Sequence, residues 1–406
     1  MKGITSWCCL LVVCLLSLPM FGQIVPPVGY VFTSTSCCSQ QIQLSQWELN
    51  GMGTGSLNLL DTYAIAFSGS GGATTWGKTV PALASVTSQT GDWCLLVAEE
   101  NNNLGFVGYV ASYKINKSNG NPTLVSRFKA FSTDFADYAP MIAAVSGTSY
   151  AFMAQNQSVS AKISEVKVLE AKGGCVLFAS SSLQVSSFGH PMQITGFAAG
   201  QDGNNQFAII SDIVEQKEYL VYNNGGLTPE LLDVYQEANN APYLTPTGAT
   251  YDESNGFFVN GTTQNDHLQI RNLVPTIDGW AIGSQVTTIS VSGNPDILNG
   301  NIFTNNTHSL LFAGWDAGGG GVLGQITMLG NGTLDNVVNY STSPRGSYVG
   351  FMAGDSASLL VVEHGGTSFN NVGVGVFSQT SLTNDTGSPY TGPVGIPEGI
   401  AVFPPR

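Results

Sequence analysis

Acidic, amide and imidazole side chains follow a short apolar run that the chain repeats. Examples of the run are LLVA at 95–98, AIIS at 208–211 and LLVV at 359–362. The residues at its polar end are Glu99 and Glu100, Gln155, Asp212, Gly261, Trp315, and Glu363 with His364. Carboxylate and imidazole groups act as general acids and bases, and carboxylate oxygens bind divalent cations. If the runs are equivalent strands, we expect several of these side chains to converge on one face of the protein.

The elements that would position these residues recur along most of the chain. The apolar runs begin at 30, 95, 151, 208, 257, 310 and 359, so the steps are 65, 56, 57, 49, 53 and 49 residues. Each run after the first is preceded by another short apolar segment and a turn rich in Gly, Asn, Asp or Ser, and is followed by alternating apolar and polar positions. Alternation buries one face of a strand. We therefore predict seven units of four antiparallel strands.

The two ends of the chain complement each other. The first unit lacks its leading strand, whereas the segment PEGIAVFPP at 397–405 is left over after the last unit. In a β-propeller, such a C-terminal strand completes the first sheet and closes the ring. The prediction is an all-β fold, a single seven-bladed β-propeller over residues 24–406 closed by that strand. An open sandwich or a two-domain β protein is the alternative.

Several segments resemble the lactonase-type seven-bladed propellers, the family with 6-phosphogluconolactonase-like or YVTN-like repeats. The likeness is carried by VGVFSQTSLTNDTGSPYTGPVGIPEGIAVFPP at 374–405, VASYKINKSNGNPTLV at 110–125 and LLVAEENNN at 95–103, and it is clearest in the first of these, which belongs to the last unit. The resemblance spans most of the chain and implies the propeller fold. Members of the family hydrolyse phosphogluconolactone or cyclise muconates with His, Arg and Glu residues around one mouth of the central channel. No catalytic motif of the family matches this chain residue by residue.

That resemblance suggests which residues to test for chemistry on a lactone. A carboxylate or histidine would take a proton from water, and a cationic donor would stabilise the oxyanion. Adjacent strand residues point to opposite faces, so at most one of Glu363 and His364 faces a shared site. His190 in GHPM and Arg345 in SPRGSYVG each precede a predicted inner strand. We predict catalytic roles for Glu363, His190 and Arg345, and ligand or cation binding by Glu99, Glu100, Asp212 and His364; the alternative for each is a solvated turn or loop residue.

Composition and charge exclude some functions. The chain has 406 residues, of which only 13 are Lys or Arg, and its net charge is −14. Nucleic-acid binding requires clustered basic residues, so neither nucleic acid nor a phosphorylated substrate is expected. The first 22 residues combine Lys2 with an apolar run and read as a secretory signal peptide. No second run of membrane-spanning length follows, so a secreted, extracellular protein is predicted.

Four cysteines remain after signal removal, Cys37, Cys38, Cys94 and Cys175, and they allow three disulfide connectivities. A bond between the adjacent Cys37 and Cys38 would be strained. Neither zinc-binding spacing nor a phosphate-binding loop is present, so we predict no metal centre and no cofactor. Sequons for N-glycosylation begin at Asn116, Asn156, Asn260, Asn305, Asn331, Asn339 and Asn384.

Two functional hypotheses follow. The first is a secreted, non-enzymatic glycoprotein that binds an extracellular protein, glycan or matrix partner through its disc faces, because its charges are few and its acidic residues scattered. The alternative is a secreted lactonase-like hydrolase or cyclase that acts at the channel mouth. The sequence does not decide whether the chain is an enzyme, but it favours the non-enzymatic hypothesis.

Overall fold

The computed structural model describes the chain in segments that cover most of the predicted strands. These segments are residues 29–37, 41–50, 56–65, 83–101, 107–131, 140–155, 164–186, 192, 194–212, 215–236, 246–252, 257–262, 267–277, 279–290, 302–304, 309–315, 321–328, 334–342, 349–354, 358–364, 372–378, 390–392 and 396–405. The predicted signal segment, 1–22, lies outside them. Among the described residues, no helix has the length and apolar character needed to cross a bilayer.

The described residues form strands and one short 3-10 turn, Gly173–Cys175. In chain order the strands are β1 Gly29–Cys37, β2 Gln41–Asn50, β3 Ser56–Ala64, β4 Leu83–Thr87, β5 Trp93–Asn101, β6 Val107–Ile115, β7 Pro122–Lys129, β8 Met141–Ala144, β9 Tyr150–Ala154, β10 Glu165–Ala171, β11 Leu177–Ala179, β12 Leu183–Gln184, β13 Ile194–Asp202, β14 Asn205–Asp212, β15 Lys217–Asn223, β16 Glu230–Gln236, β17 Pro246–Asp252, β18 Phe257–Thr262, β19 His267–Thr276, β20 Gly279–Ser290, β21 Ile302–Thr304, β22 Ser309–Trp315, β23 Gly321–Met328, β24 Leu334–Thr342, β25 Val349–Gly354, β26 Ser358–His364, β27 Val372–Ser378, β28 Tyr390–Thr391 and β29 Ile396–Phe403.

Within the described part of the chain these strands pair into seven antiparallel sheets. Sheet 1 has the order β29-β1-β2-β3, and sheets 2 to 7 begin at β4, β8, β13, β17, β21 and β25 and each continue with the strands that follow in sequence. The all-β class and the four-stranded antiparallel sheets predicted from the repeat are confirmed. Sheet 3 departs from the pattern, because β11 and β12 both pair with β10 and so share the outermost position.

The C-terminal strand belongs to the first sheet. In the register between β29 and β1, Tyr30 lies opposite Phe403 and Phe32 opposite Ala401. The ring of Phe403 packs edge-to-face on that of Phe32, with centroids 5.8 Å apart, and also meets Trp93 of sheet 2. Full burial of one such aromatic side chain stabilises a fold by roughly 1.5–3 kcal/mol.

The sheets pack on one another through their first strands. β29 contacts β4, and contacts continue from β4 to β8, β13, β17, β21 and β25 in turn; β25 in its turn contacts β29. Apolar clusters fill the spaces between neighbouring sheets, for example Val97 with Phe32 between sheets 1 and 2, and Ile210 with Phe152 between sheets 3 and 4. In β5, residues 94 to 99 are all buried, which explains why that strand is apolar on both faces.

One disulfide joins neighbouring sheets. Cys94 of β5 bonds to Cys175 at the end of the 3-10 turn, with a Cα–Cα distance of 5.5 Å. The structure thus shows the Cys94–Cys175 bond, one of the pairings that the sequence allowed. Cys37 ends β1, whereas Cys38 lies outside the described residues.

Candidate functional site

The polar residues singled out in the sequence lie at equivalent places in the sheets. Each lies at or near the C-terminal end of the second strand of its sheet: Glu99 and Glu100 in β5, Gln155 just after β9, Asp212 in β14, Gly261 in β18, Trp315 in β22, and Glu363 with His364 in β26. These residues therefore occupy equivalent positions in the repeat, and their convergence on one face of the protein stays a prediction.

Three of these side chains are described, and all three are buried. Glu99 and Asp212 are 0% exposed and Gln155 is 1% exposed. Side chains two residues apart on a strand share a face. Glu99 therefore shares a face with Val97, which packs against sheet 1, and Asp212 shares one with Ile210, which packs against sheet 3. These polar groups face the preceding sheet.

Glu99 is held by a buried ion pair. Arg127 of β7 donates from Nη2 to Glu99 Oε1 at 3.0 Å and to the Tyr113 hydroxyl at 3.0 Å. Ala111 lies opposite both Val97 and Arg127 in the sheet, and its small side chain leaves the arginine room to reach across β6. The other carboxylate oxygen, Oε2, has no hydrogen-bond partner among the described residues.

This environment changes the proton affinity of Glu99. Burial raises the pKa of Glu99 to about 7, and the nearby Arg127 opposes that rise without cancelling it. Burial and the charge of Glu99 also raise the pKa of Tyr113 to about 12. A carboxyl group with a pKa near neutrality can donate or accept a proton at physiological pH. Glu99 has the acidity of a general acid or base, but its carboxylate is enclosed.

Asp212 lies in a second acidic environment. Burial, followed by the charges of Asp212 and Glu215, raises the pKa of Tyr219. Lys217 pairs with Glu215 at 3.3 Å. Within the described segments, no three His, Cys, Asp or Glu side chains come together as a metal site would require.

The structure describes only some of the remaining predicted site residues, and for those it gives the backbone position. Glu363 lies opposite Val349 and Gly373, and His364 opposite Val372, at the end of β26. Glu100 lies opposite Gly108 in β6. His190 and Arg345 lie outside the described residues. The structure therefore gives backbone positions for Glu100, Glu363 and His364, and the grouping of Glu363 with His190 and Arg345 stays a prediction.

A second buried ion pair was missed from the sequence. Arg271 of β19 pairs with Glu218 of β15 at 3.3 Å, and the two side chains are 1% and 0% exposed. The guanidinium also stacks on Tyr235 at 4.0 Å from the ring centroid. This pair joins sheet 4 to sheet 5. The available signal was a lone arginine within the otherwise uncharged strand segment LQIRNLV.

Asp92 forms a polar contact between sheets 2 and 3 at the other end of β5. Its carboxylate pairs with Lys114 at 2.7 Å and accepts hydrogen bonds from Thr90 Oγ1 and from the backbone N–H of Gly174. Hydrogen bonding to Lys114 and Thr90 holds the pKa of Asp92 well below its usual range. Asp92 thus supports the turn beside the disulfide.

Repeated four-stranded antiparallel sheets packed through their first strands define the β-propeller class. No protein-family model matches the chain, and no curated protein matches its sequence. Two solved structures, each described as a "putative 6-phosphogluconolactonase", have a TM-score of 0.65 with this chain. The one from Bacteroides fragilis is 13% identical and the match covers 92% of this chain and 98% of that one; the one from Bacteroides uniformis is 16% identical, with 92% and 99% covered.

The periplasmic gluconolactonase PpgL of Pseudomonas aeruginosa is similar to the same degree. Its TM-score is 0.63 at 16% identity, and the match covers 93% of this chain and 99% of that one. The chain therefore has the fold of lactonase-type propellers over nearly its whole length. Identities this low show the fold alone.

Proposed function

We propose that this protein is a secreted lactone hydrolase that acts at one mouth of a closed, seven-bladed β-propeller. The observation that carries the proposal is the near full-length likeness to lactonase-type structures, including a periplasmic gluconolactonase. Residues 1–22 would be removed on secretion, and residues 24–406 would form the propeller as a single domain.

Closure of the ring is supported by the order of sheet contacts. Seven sheets follow one another, their first strands touch in sequence, and β29 both completes sheet 1 and contacts β25 of sheet 7. The first strands would then line a central channel. The polar ends of the second strands would surround one of its mouths.

The proposed reaction is the hydrolysis of the cyclic ester. Water attacks the carbonyl carbon and gives its proton to Glu363, the C–O bond of the ring breaks, and the ring oxygen leaves as a hydroxyl. Protonated His190 would donate a proton to the leaving oxygen, and Arg345 would stabilise the oxyanion; passage of the proton from Glu363 to His190 would then restore both groups. Because the chain has only 13 Lys and Arg residues, a lactone without a phosphate is the favoured substrate.

The test is a panel of phosphorylated and unphosphorylated aldonolactones, with acid release followed by titration at constant pH. We expect turnover above the spontaneous rate on unphosphorylated lactones. Glu363→Gln should lower kcat about 100-fold or more. Glu230→Gln is the matched control, because Glu230 is exposed on the outer strand β16, and it should leave kcat unchanged. Correctly folded protein without turnover on any lactone would refute the proposal.

A non-enzymatic binding protein is the second candidate, and one observation favours it. Glu99, Gln155 and Asp212 are buried against neighbouring sheets and do not reach solvent as a catalytic constellation would. An extracellular protein, glycan or matrix component would then be the partner, with a divalent cation at the acidic strand ends. Enrichment in the extracellular matrix fraction without any lactonase activity, and release from it by a chelator, would support this candidate.

A further inference from the structure

The hairpin between β6 and β7 contains a sequon in an exposed turn. Asn116, Lys117 and Ser118 form the Asn-x-Ser sequence, and all three residues are exposed, as is Asn119. Asn116 Oδ1 accepts hydrogen bonds from the backbone N–H of Ser118 at 2.9 Å and from Ser118 Oγ at 2.7 Å. The acceptor amide and the hydroxyl of the sequon are therefore adjacent to each other and open to solvent.

The other sequons offer no such site among the described residues. Asn260 lies within β18, where it is paired with Ala249 on one side and Gln269 on the other. Asn339 lies within β24, opposite Gln325. The sequons that begin at Asn156, Asn305, Asn331 and Asn384 lie outside the described segments. Of the three sequons whose asparagine is described, Asn116 occupies the exposed turn.

The hairpin is anchored to the sheets, so its tip has a fixed direction. Lys117 donates from Nζ to the Gly91 carbonyl oxygen at 2.7 Å, and Gln46 of sheet 1 donates from Nε2 to the Asn119 carbonyl oxygen at 2.9 Å. Gly120 has a φ of 73°, and a side chain there would meet the Tyr30 ring. A group attached to Asn116 would project from this tip.

The hairpin lies at the opposite end of sheet 2 from Glu99. In the register of β5 with β6, Trp93 lies opposite Ile115, the residue before Asn116, whereas Glu99 lies opposite Tyr109. Six residues of strand separate the two ends, which corresponds to about 20 Å. A glycan attached to Asn116 would therefore leave the end of sheet 2 that contains Glu99 uncovered.

We propose that Asn116 carries an N-linked glycan and that this glycan covers the side of the propeller opposite the candidate mouth. The inference rests on the proposed secretion and is independent of lactone hydrolysis. The donor would be a lipid-linked oligosaccharide pyrophosphate. The Asn116 amide nitrogen bonds to its anomeric carbon, the bond from that carbon to the pyrophosphate oxygen breaks, and the amide proton passes to a base of the transferase.

The hairpin provides its own controls for the experiment. The full chain is secreted from a eukaryotic host, and the glycans are removed with an amidase in heavy-oxygen water, which converts an occupied asparagine into a labelled aspartate. We expect the label at residue 116 by peptide mass spectrometry. Asn116→Gln and Ser118→Ala should each abolish it, whereas Ser118→Thr should keep it. Asn119→Gln should also keep it, because Asn119 begins no sequon.

A negative control is built into the same hairpin. Asn121-Pro122-Thr123 has the spacing of a sequon, but its central proline prevents transfer. Secreted protein with an unlabelled residue 116, or with label at Asn121, would overturn the proposal. The intact mass of the protein recovered from the medium distinguishes a failure of secretion from a failure of modification. A glycan on Asn116 of a protein without lactonase activity would refute only the proposed function.

Discussion

Replacing Cys94 and Cys175 together by alanine removes the covalent link between sheets 2 and 3. The two residues are 81 positions apart, so the disulfide closes a long loop in the unfolded chain. Both side chains are buried in the cluster between these sheets. We expect the variant to keep its fold, because the apolar cluster remains, and to lose stability.

The expected loss follows from the length of the loop. In the chain-entropy model, opening a loop of 81 residues lowers the free energy of unfolding by roughly 4.5 kcal/mol at 25 °C. Backbone conformation adds a smaller effect that can be isolated. Cys175 has a φ of 69°, a left-handed conformation that disfavours alanine relative to glycine by about 1 kcal/mol.

The assay is urea denaturation followed by tryptophan fluorescence, for the wild type and two double variants. Cys94→Ala with Cys175→Ala should show the loss of roughly 4.5 kcal/mol and a larger m value, because its unfolded chain exposes more surface. Cys94→Ala with Cys175→Gly should be more stable than the alanine pair. Reducing agent should destabilise the wild type and leave both variants unchanged.

Two results would refute this reasoning. A loss of less than about 1 kcal/mol in both double variants would mean that loop closure contributes little here. A glycine variant no more stable than the alanine variant would mean that the left-handed conformation at Cys175 is not maintained once the disulfide is gone.

Three further predictions concern two buried charged groups and one close approach between sheets. Because burial raises the pKa of Glu99 from 4.5 to about 7, the folded state holds its proton more tightly. The free energy of unfolding should therefore fall as pH rises from 4.5 to 7, by up to ~3 kcal/mol, and urea titrations of Glu99→Gln should show that slope removed. Arg271→Met should cost about 3–5 kcal/mol in the same assay, because Glu218 stays buried without its guanidinium, and adding Glu218→Gln should recover part of the loss. Gly120→Ala should lower the melting temperature more than Gly91→Ala; both glycines have positive φ, but a Cβ at 120 clashes with an aromatic ring of sheet 1, whereas 91 has open space.

The repeat was predictable because strand formation depends on local sequence patterns. Alternation, turn residues and the spare C-terminal strand are all visible over a few residues, and they predicted four-stranded antiparallel sheets. The split outer strand of sheet 3 was not predicted. Ser180 follows β11, and its hydroxyl accepts a hydrogen bond from the backbone N–H of Val168. The outermost position of sheet 3 is therefore divided between β11 and β12.

The partners of the buried charges could not be predicted, because they depend on packing. Arg127 contacts Glu99, which lies 28 residues earlier in the chain, by reaching diagonally across β6, where the small Ala111 lies opposite Arg127. Likewise, the pairing of Cys94 with Cys175 requires that sheets 2 and 3 be neighbours, whereas the sequence alone allowed three connectivities and counted strain against the one that leaves Cys37 beside Cys38. Sequence identified the residue types of the candidate site, and tertiary packing determined their roles.

The burial of Glu99 separates two roles that one sequence pattern combined. The Glu99 carboxylate, at 0% exposure and 3.0 Å from Arg127, links β5 to β7 within sheet 2 on the face that packs against sheet 1, and it lacks access to a substrate. Glu363 occupies the equivalent backbone position in sheet 7 and is paired with two different strands. If the strand ends serve only packing, Glu99→Gln and Glu363→Gln should both change stability and neither should affect a reaction. If one mouth is catalytic, Glu363→Gln should reduce kcat while Glu99→Gln changes only the dependence of stability on pH, and this contrast assigns the function.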